Sequence, residues 1–281
     1  MTLQLDPRQR AMLREMGVHV WLPGTSFNAP LAETEPPPVQ RQPAVQAPAP
    51  ATPAPATPAS STHAAPVATG LGWPALAEAV ASCRACGLCE ARQRTTLQAL
   101  DSALAPCDWL VLGDPPDQEE ERSGSPFAGA DGVLLANMLA SVGVQRVNPA
   151  GPGQPDQQAL LALPASARAY VSNVVKCRPA HGQLPDAADL RQCAVYLQQE
   201  IALVRPRLIL ALGRFAQQLL LSEQPALAQQ PLGKLRGRLH RYQGVDVVLS
   251  YHPKALMRNA PDKAKAWADL CLAADRLAAS R

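Results

Sequence analysis

Residues 206–221 read Pro-Arg-Leu-Ile-Leu-Ala-Leu-Gly-Arg-Phe-Ala-Gln-Gln-Leu-Leu-Leu: an apolar run of strand length, a glycine, then a stretch with helical spacing. Leu208–Gly213 carries no polar side chain, which suits a strand buried on both faces. Asp108–Gly113 (DWLVLG), Tyr170–Val175 (YVSNVV) and Val245–Tyr251 (VDVVLSY) are runs of the same kind. Helical patterns cover Gly132–Ser141, Ala187–Val204, Arg214–Leu221 and Pro261 to about Ala279. This alternation predicts an α/β fold, a three-layer α/β/α sandwich around a short, mostly parallel sheet. Ligands of such sheets bind beyond the carboxyl ends of the strands. Gly113–Asp117, Asn173 and His252 are therefore expected at one rim.

Outward from this core the composition changes. The 281 residues include 29 prolines, concentrated near the N-terminus. Residues 29–71 are rich in Pro, Ala and Thr and cannot bury enough apolar surface to offset chain entropy, so a disordered, semi-stiff tether is expected there. Residues 1–28 read as a docking peptide. Asp6 and Pro7 start a short helix, Gly17 stops it, Met12, Leu13 and Met16 give it an apolar side, and Val18, Val20, Trp21 and Leu22 form an apolar extension after it. A helix this short orders against something else. The remaining domain, 72–281, is long enough for a sizeable core.

The formal net charge of +3 does not by itself announce a nucleic-acid binder. Residues 1–70 balance four basic against four acidic side chains, so the excess belongs to the C-terminal part, where Lys234, Arg236, Arg238, Arg241, Lys254 and Arg258 crowd into one stretch. No apolar run approaches the ~18 residues of a membrane span, and no signal-peptide pattern opens the chain. A cytoplasmic, monomeric protein is expected, with reduced cysteines.

Of the seven cysteines, four matter most. Cys83 and Cys86 form a CxxC beside a helix; Cys177 follows a strand, and Cys193 lies in the next helix. Four thiolates suit zinc or an iron–sulfur cluster equally well. Cys107 and Cys271 read as free thiols, and Cys89 as the rival ligand.

The blocks Cys83-Arg-Ala-Cys86, Gly124-Ser-Pro126-Phe127-Ala-Gly129-Ala-Asp-Gly132, Val171-Ser-Asn173-Val-Val-Lys176-Cys177-Arg178-Pro179 and Tyr251-His252-Pro253, taken in order, resemble the family 4 uracil-DNA glycosylases. The resemblance implies a uracil-DNA glycosylase-like fold, a 4Fe–4S cluster on Cys83, Cys86, Cys177 and Cys193, and uracil-containing DNA as substrate. It implies a pocket for an extruded uracil beside Gly113, with Phe127 as stacking platform, Asn173 reading the polar edge and His252 against a carbonyl. Lys234, Arg236, Arg238, Lys254 and Arg258 would face DNA.

The family's first motif is usually Gly-Glu-(Ala/Gly)-Pro-Gly; here it is Gly113-Asp114-Pro115-Pro116-Asp117. Asp114 takes the carboxylate position, with Glu120 as a further catalytic candidate. Leu13-Arg-Glu-Met16-Gly-Val-His-Val-Trp21 is similar to the N-terminal segment of the psi subunit of the polymerase III clamp-loader complex, which implies docking of residues 3–23 through Met16 and Trp21. Two function classes result: a glycosylase tethered to the replisome, or a replisome accessory protein that retains the fold and cluster without turnover.

Overall fold

The computed structural model describes residues 70–148, 156–180 and 183–279. The docking peptide and all but the end of the tether lie outside the described residues. Six strands form one sheet: β1 Trp109–Gly113, β2 Gln145–Arg146, β3 Arg168–Asn173, β4 Leu208–Leu212, β5 Leu239–Tyr242 and β6 Val245–Ser250, in spatial order β2-β3-β1-β4-β6-β5. All neighbours run parallel except β5 and β6, which form an antiparallel edge hairpin.

The helices are α1 Trp73–Ser82, α2 Gln118–Ser123, α3 Ala130–Ala140, α4 Gln157–Ala162, α5 Ala187–Val204, α6 Arg214–Leu220, α7 Pro225–Ala228, α8 Leu232–Leu235, α9 Pro253–Arg258 and α10 Asp262–Ala279. Alternation along the strands divides the core into two layers, because successive side chains point to opposite faces. Leu110, Leu112, Tyr170, Ile209, Ala211, Val247 and Leu249 pack on one side with Trp73 and Leu76 of α1 and Leu190 and Leu197 of α5. Trp109, Val111, Ala169, Val171, Leu210 and Val248 pack on the other with Leu135 and Leu139 of α3 and Leu270 and Leu277 of α10. The apolar runs are continuous because each strand is covered twice. The α/β/α sandwich expected from the sequence is present.

All four long strands were legible as runs. The two short edge strands, β2 and β5, were not: Leu239-His-Arg-Tyr242 and Gln145-Arg146 carry too little apolar signal. Parallel register puts Gly113 beside Asn173 and Leu212 beside Ser250. The segments after β1, β3, β4 and β6 therefore leave the sheet at one rim.

Candidate active site and cysteine pocket

His252 comes after β6 and caps α9: its Nδ1 accepts the Lys254 N–H at 3.2 Å. With Nδ1 accepting, the proton of a neutral ring sits on Nε2. Burial first, then Lys254 beside it, pulls the imidazole down to about 3, so the ring is neutral. Phe127 stacks on it with ring centroids 4.9 Å apart and planes 12° from parallel. Both rings stand over Gly113, where a Cβ would run into Cζ and Cε2 of Phe127 and lie 3.5 Å from His252 Nε2. Glycine is needed here because its neighbours fill the side-chain space.

Phe127 has φ 52°, a left-handed conformation that costs a non-glycine residue roughly 1–2 kcal/mol. Glu120 holds it there: Oε1 accepts the Phe127 N–H at 2.7 Å and one Asn173 amide proton at 3.0 Å. Its Oε2 accepts from the Asp117 backbone at 2.8 Å, completing the capping box of α2, and lies 3.3 Å from Lys254 Nζ. Burial raises the Glu120 carboxyl even so. Asn173 is fully bonded, with Nδ2 also donating to the Asp114 carbonyl at 3.0 Å and Oδ1 accepting from Thr96 Oγ1 at 2.9 Å.

Asp114 turns towards the start of α6. Its Oδ1 accepts the Phe215 N–H at 2.9 Å, and the carboxylate packs against Gly213, whose φ of 104° only glycine adopts easily. Burial raises Asp114 from 3.8 to about 6, against the opposing pull of the Phe215 and Ala216 amides and of Arg214. Asp114, Asn173, His252, Phe127, Gly113 and Glu120 are thus brought together at the rim.

On the α1/α5 side of the sheet, Cys83, Cys86, Cys177 and Cys193 line one pocket with Val80, Leu88 and Val175, and Cys89 lines it too. Arg92 Nη1 donates to Cys177 Sγ at 3.4 Å and to the Cys83 carbonyl at 3.0 Å, tying two of the loops together. Burial pushes the Cys86 thiol up to about 11 and the Cys193 thiol to about 12. Among the described residues no three His, Cys, Asp or Glu side chains form a group that could hold one metal ion. Four thiols in an apolar pocket with a guanidinium at its edge nevertheless match the donor set of an iron–sulfur cluster.

The sequence profile of the uracil DNA glycosylase superfamily matches residues 104–271. The chain belongs to the uracil DNA glycosylase superfamily. It is 30% identical over 169 residues to the type-4 uracil-DNA glycosylase of Pyrobaculum aerophilum, covering 58% of this chain and 74% of that protein. The type-4 uracil-DNA glycosylase of Archaeoglobus fulgidus is 30% identical over 152 residues, 53% of this chain and 66% of its own length. The type-4 uracil-DNA glycosylase of Thermotoga maritima is 27% identical over 187 residues, 66% and 82% respectively.

The cations of this superfamily member divide by partner. Lys254 bridges Asp117 at 2.8 Å, Glu120 at 3.3 Å and Asp131 at 3.6 Å, tying α9 to the loop that carries Phe127. Arg236 makes a two-point bridge to the buried Asp269 of α10, at 3.0 and 2.9 Å. Lys234, Arg238 and Arg258 are exposed.

Behind Asn173 lies an ion pair that the sequence pattern did not reveal. Lys176 and Glu200 are both buried, with Nζ 2.6 Å from Oε2. Lys176 also donates to the Asn173 carbonyl at 2.8 Å and to Ser172 Oγ at 2.7 Å, while Glu200 Oε1 accepts from Ser172 Oγ at 2.8 Å. A signal existed: Leu190, Cys193, Leu197, Glu200 and Val204 share one buried stripe of α5, and a lone acid there requires a buried cation.

Proposed function

We propose that this chain is a uracil-DNA glycosylase of the base-excision type that acts on uracil-containing DNA and carries a 4Fe–4S cluster on Cys83, Cys86, Cys177 and Cys193. One observation carries the reading: Phe127 and a neutral His252 stand over Gly113, with Asn173 as its register partner and Asp114 next in the chain, at the carboxyl rim of a uracil DNA glycosylase sheet.

Cleavage of the C1′–N1 bond leaves electrons on the departing base. His252, neutral with its proton on Nε2, donates to a uracil carbonyl oxygen and stabilises that charge without itself losing a proton. Asp114, above its pKa of about 6 at neutral pH, is the carboxylate that orients water toward C1′. Asn173 reads the polar edge of the base by exchanging its bond to the Asp114 carbonyl or to Glu120. Glu120 positions Phe127 and Asn173 together. Phe127 and His252 stack directly on each other at 4.9 Å, so a base that stacks on Phe127 while accepting from His252 Nε2 displaces this ring contact. Entry of the base therefore moves Phe127 or His252. The cluster, when bound, supplies a covalent tie among loops that neighbour the pocket.

The released base from a uracil-containing oligonucleotide, measured with protein purified without oxygen, tests the activity. About four irons per chain test the cluster; stoichiometric zinc without iron refutes it. Binding of such DNA without release of uracil would favour the accessory-protein reading. We further propose that residues 3–23 tether the domain to the clamp loader, which the tether composition of residues 29–71 supports.

A further inference from the structure

The C-terminus of α1 meets the cysteine pocket, and the carbonyls a helix leaves unbonded at its end are met there by two residues from elsewhere. Tyr196 of α5, which lines the pocket, donates to the Ala79 carbonyl at 3.4 Å. Arg92 takes those beyond it. Its Nη2 donates to the Ala81 carbonyl at 2.6 Å. Its Nη1 lies 3.4 Å from the Val80 carbonyl, 3.0 Å from that of Cys83 and 3.4 Å from Cys177 Sγ. The guanidinium is half-buried. Among the described residues no carboxylate forms a salt bridge with it. Lys176 and Arg178, on either side of Cys177, are by contrast paired with Glu200 and Glu121. Arg92 is thus a cation whose partners are three carbonyls and one sulfur.

The end of a helix is a negative pole, and α1 has no basic residue in its own last turn. A 4Fe–4S core held by four thiolates carries net negative charge as well. Two negative features face each other, and Arg92 stands between them. We infer that Arg92 is the positioning residue and counter-charge of the cysteine centre, an inference that rests on the cluster reading. It holds Cys83 through its carbonyl and Cys177 through its sulfur, and its charge offsets that of the thiolates. A planar fork suits the place, because it reaches the helix end and the sulfur together. The hold extends to the base pocket along the chain. Thr96 donates its N–H to the Lys176 carbonyl at 3.0 Å and its Oγ1 proton to Asn173 Oδ1 at 2.9 Å. Residues 92–96 therefore run from a thiol of the cysteine centre to the amide proposed to read the base.

The full chain, purified without oxygen, tests this through iron content, the rate of iron loss to a ferrous chelator and the midpoint potential of the bound cluster. Arg92→Met keeps an apolar stem without the charge. It should lose iron at least about tenfold faster, as the removal of a charge-assisted hydrogen bond implies. The cluster it retains should be reduced at a lower potential, because a cation and an N–H at the sulfurs favour the more negative, reduced state. Arg92→Lys should bring the potential back towards wild type but not the hold on iron, since an ammonium carries the charge without the fork. Arg94→Met removes an exposed cation that donates to the Ser123 carbonyl and should change neither. A folded Arg92→Met protein with no iron at all bears out the positioning role, and Arg92→Lys then reads the potential. An unchanged potential in both Arg92 variants overturns the counter-charge, and an unchanged rate of iron loss overturns the positioning. Either result with about four irons in the wild type leaves the cluster reading standing; wild-type protein without iron overturns both.

Discussion

Replacing Asp114 by asparagine is expected to remove uracil release and to make the protein more stable at neutral pH. Burial lifts this carboxyl from 3.8 to about 6, so the folded state holds the proton more tightly than the unfolded chain does. The folded state is therefore favoured below pH ~4, and that advantage is lost as pH rises through about 6. The complete loss is the two-unit difference at 1.36 kcal/mol per unit, about 3 kcal/mol. About half is lost by pH 5, and a further ~1.4 kcal/mol by pH 7.5. Asparagine has no proton to lose, and its Oδ1 still accepts the Phe215 N–H that Asp114 accepts at 2.9 Å. The stability of the variant relative to wild type should thus rise by about 1.4 kcal/mol between pH 5 and 7.5. In a domain of this size that is about 3–5 °C in Tm. Thermal unfolding of both proteins across this range, with uracil release assayed at each pH, reads both consequences. Wild-type release should climb to a plateau above about pH 6. His252, held near 3, adds no limb in this range. A stability gap that does not change with pH, or release by the variant at the wild-type rate, would refute the reasoning.

Glu200→Gln leaves the Lys176 ammonium buried without a counter-charge, and denaturant unfolding should show a loss of about 3–5 kcal/mol. Gly113→Ala drives a methyl into the Phe127 ring and should abolish uracil release while iron content, measured on the same preparation, is retained. Replacing Cys89 should leave about four irons per chain, because the other four cysteines complete the ligand set; loss of iron would make Cys89 a ligand. Trp21→Ala should weaken clamp-loader binding by at least about thirtyfold, the equivalent of about 2 kcal/mol. Isothermal titration of the full chain checks it, and binding of a residue 1–28 peptide only to the glycosylase domain would count against docking.

The sheet was legible because its central strands are buried on both faces and so carry no polar interruption. Its edges were not legible, since β5 mixes Leu239 and Tyr242 with His240 and Arg241 and is recognisable only through its pairing with β6. The rim residues were placed correctly by one rule, that parallel strands deliver their outgoing loops to one end of the sheet. Asp117-x-x-Glu120 is capping-box spacing, but no spacing rule supplied the other bonds of those residues. Asp114 points to the start of α6, and Lys254 sits among three carboxylates. The Asp114 and Lys254 contacts depend on partners about a hundred residues away in sequence.

The segment Asn173–Cys177 joins two centres that otherwise lie on different layers of the molecule. Cys177 enters the pocket shared with Cys83, Cys86 and Cys193, while Asn173 enters the rim. Lys176 stands between them and bonds the Asn173 carbonyl, Ser172 and Glu200. Glu200 and Cys193 ride on the same buried stripe of α5. A helix that carries a proposed cluster ligand therefore also fixes, through one buried ion pair, the backbone of the residue proposed to read the base. If the proposed cluster is present, its loss would free Cys193 of α5 from Cys177, and the Lys176–Glu200 pair that supports Asn173 lies between those two attachments. The cost of burying Lys176 and Glu200 is offset because each of the ammonium protons has an acceptor within 2.8 Å. An uncharged pair would pack the same space but leave the Asn173 carbonyl without its ammonium donor. The polar network thus fixes the orientation of the pocket, a role that apolar packing of the same volume does not fill.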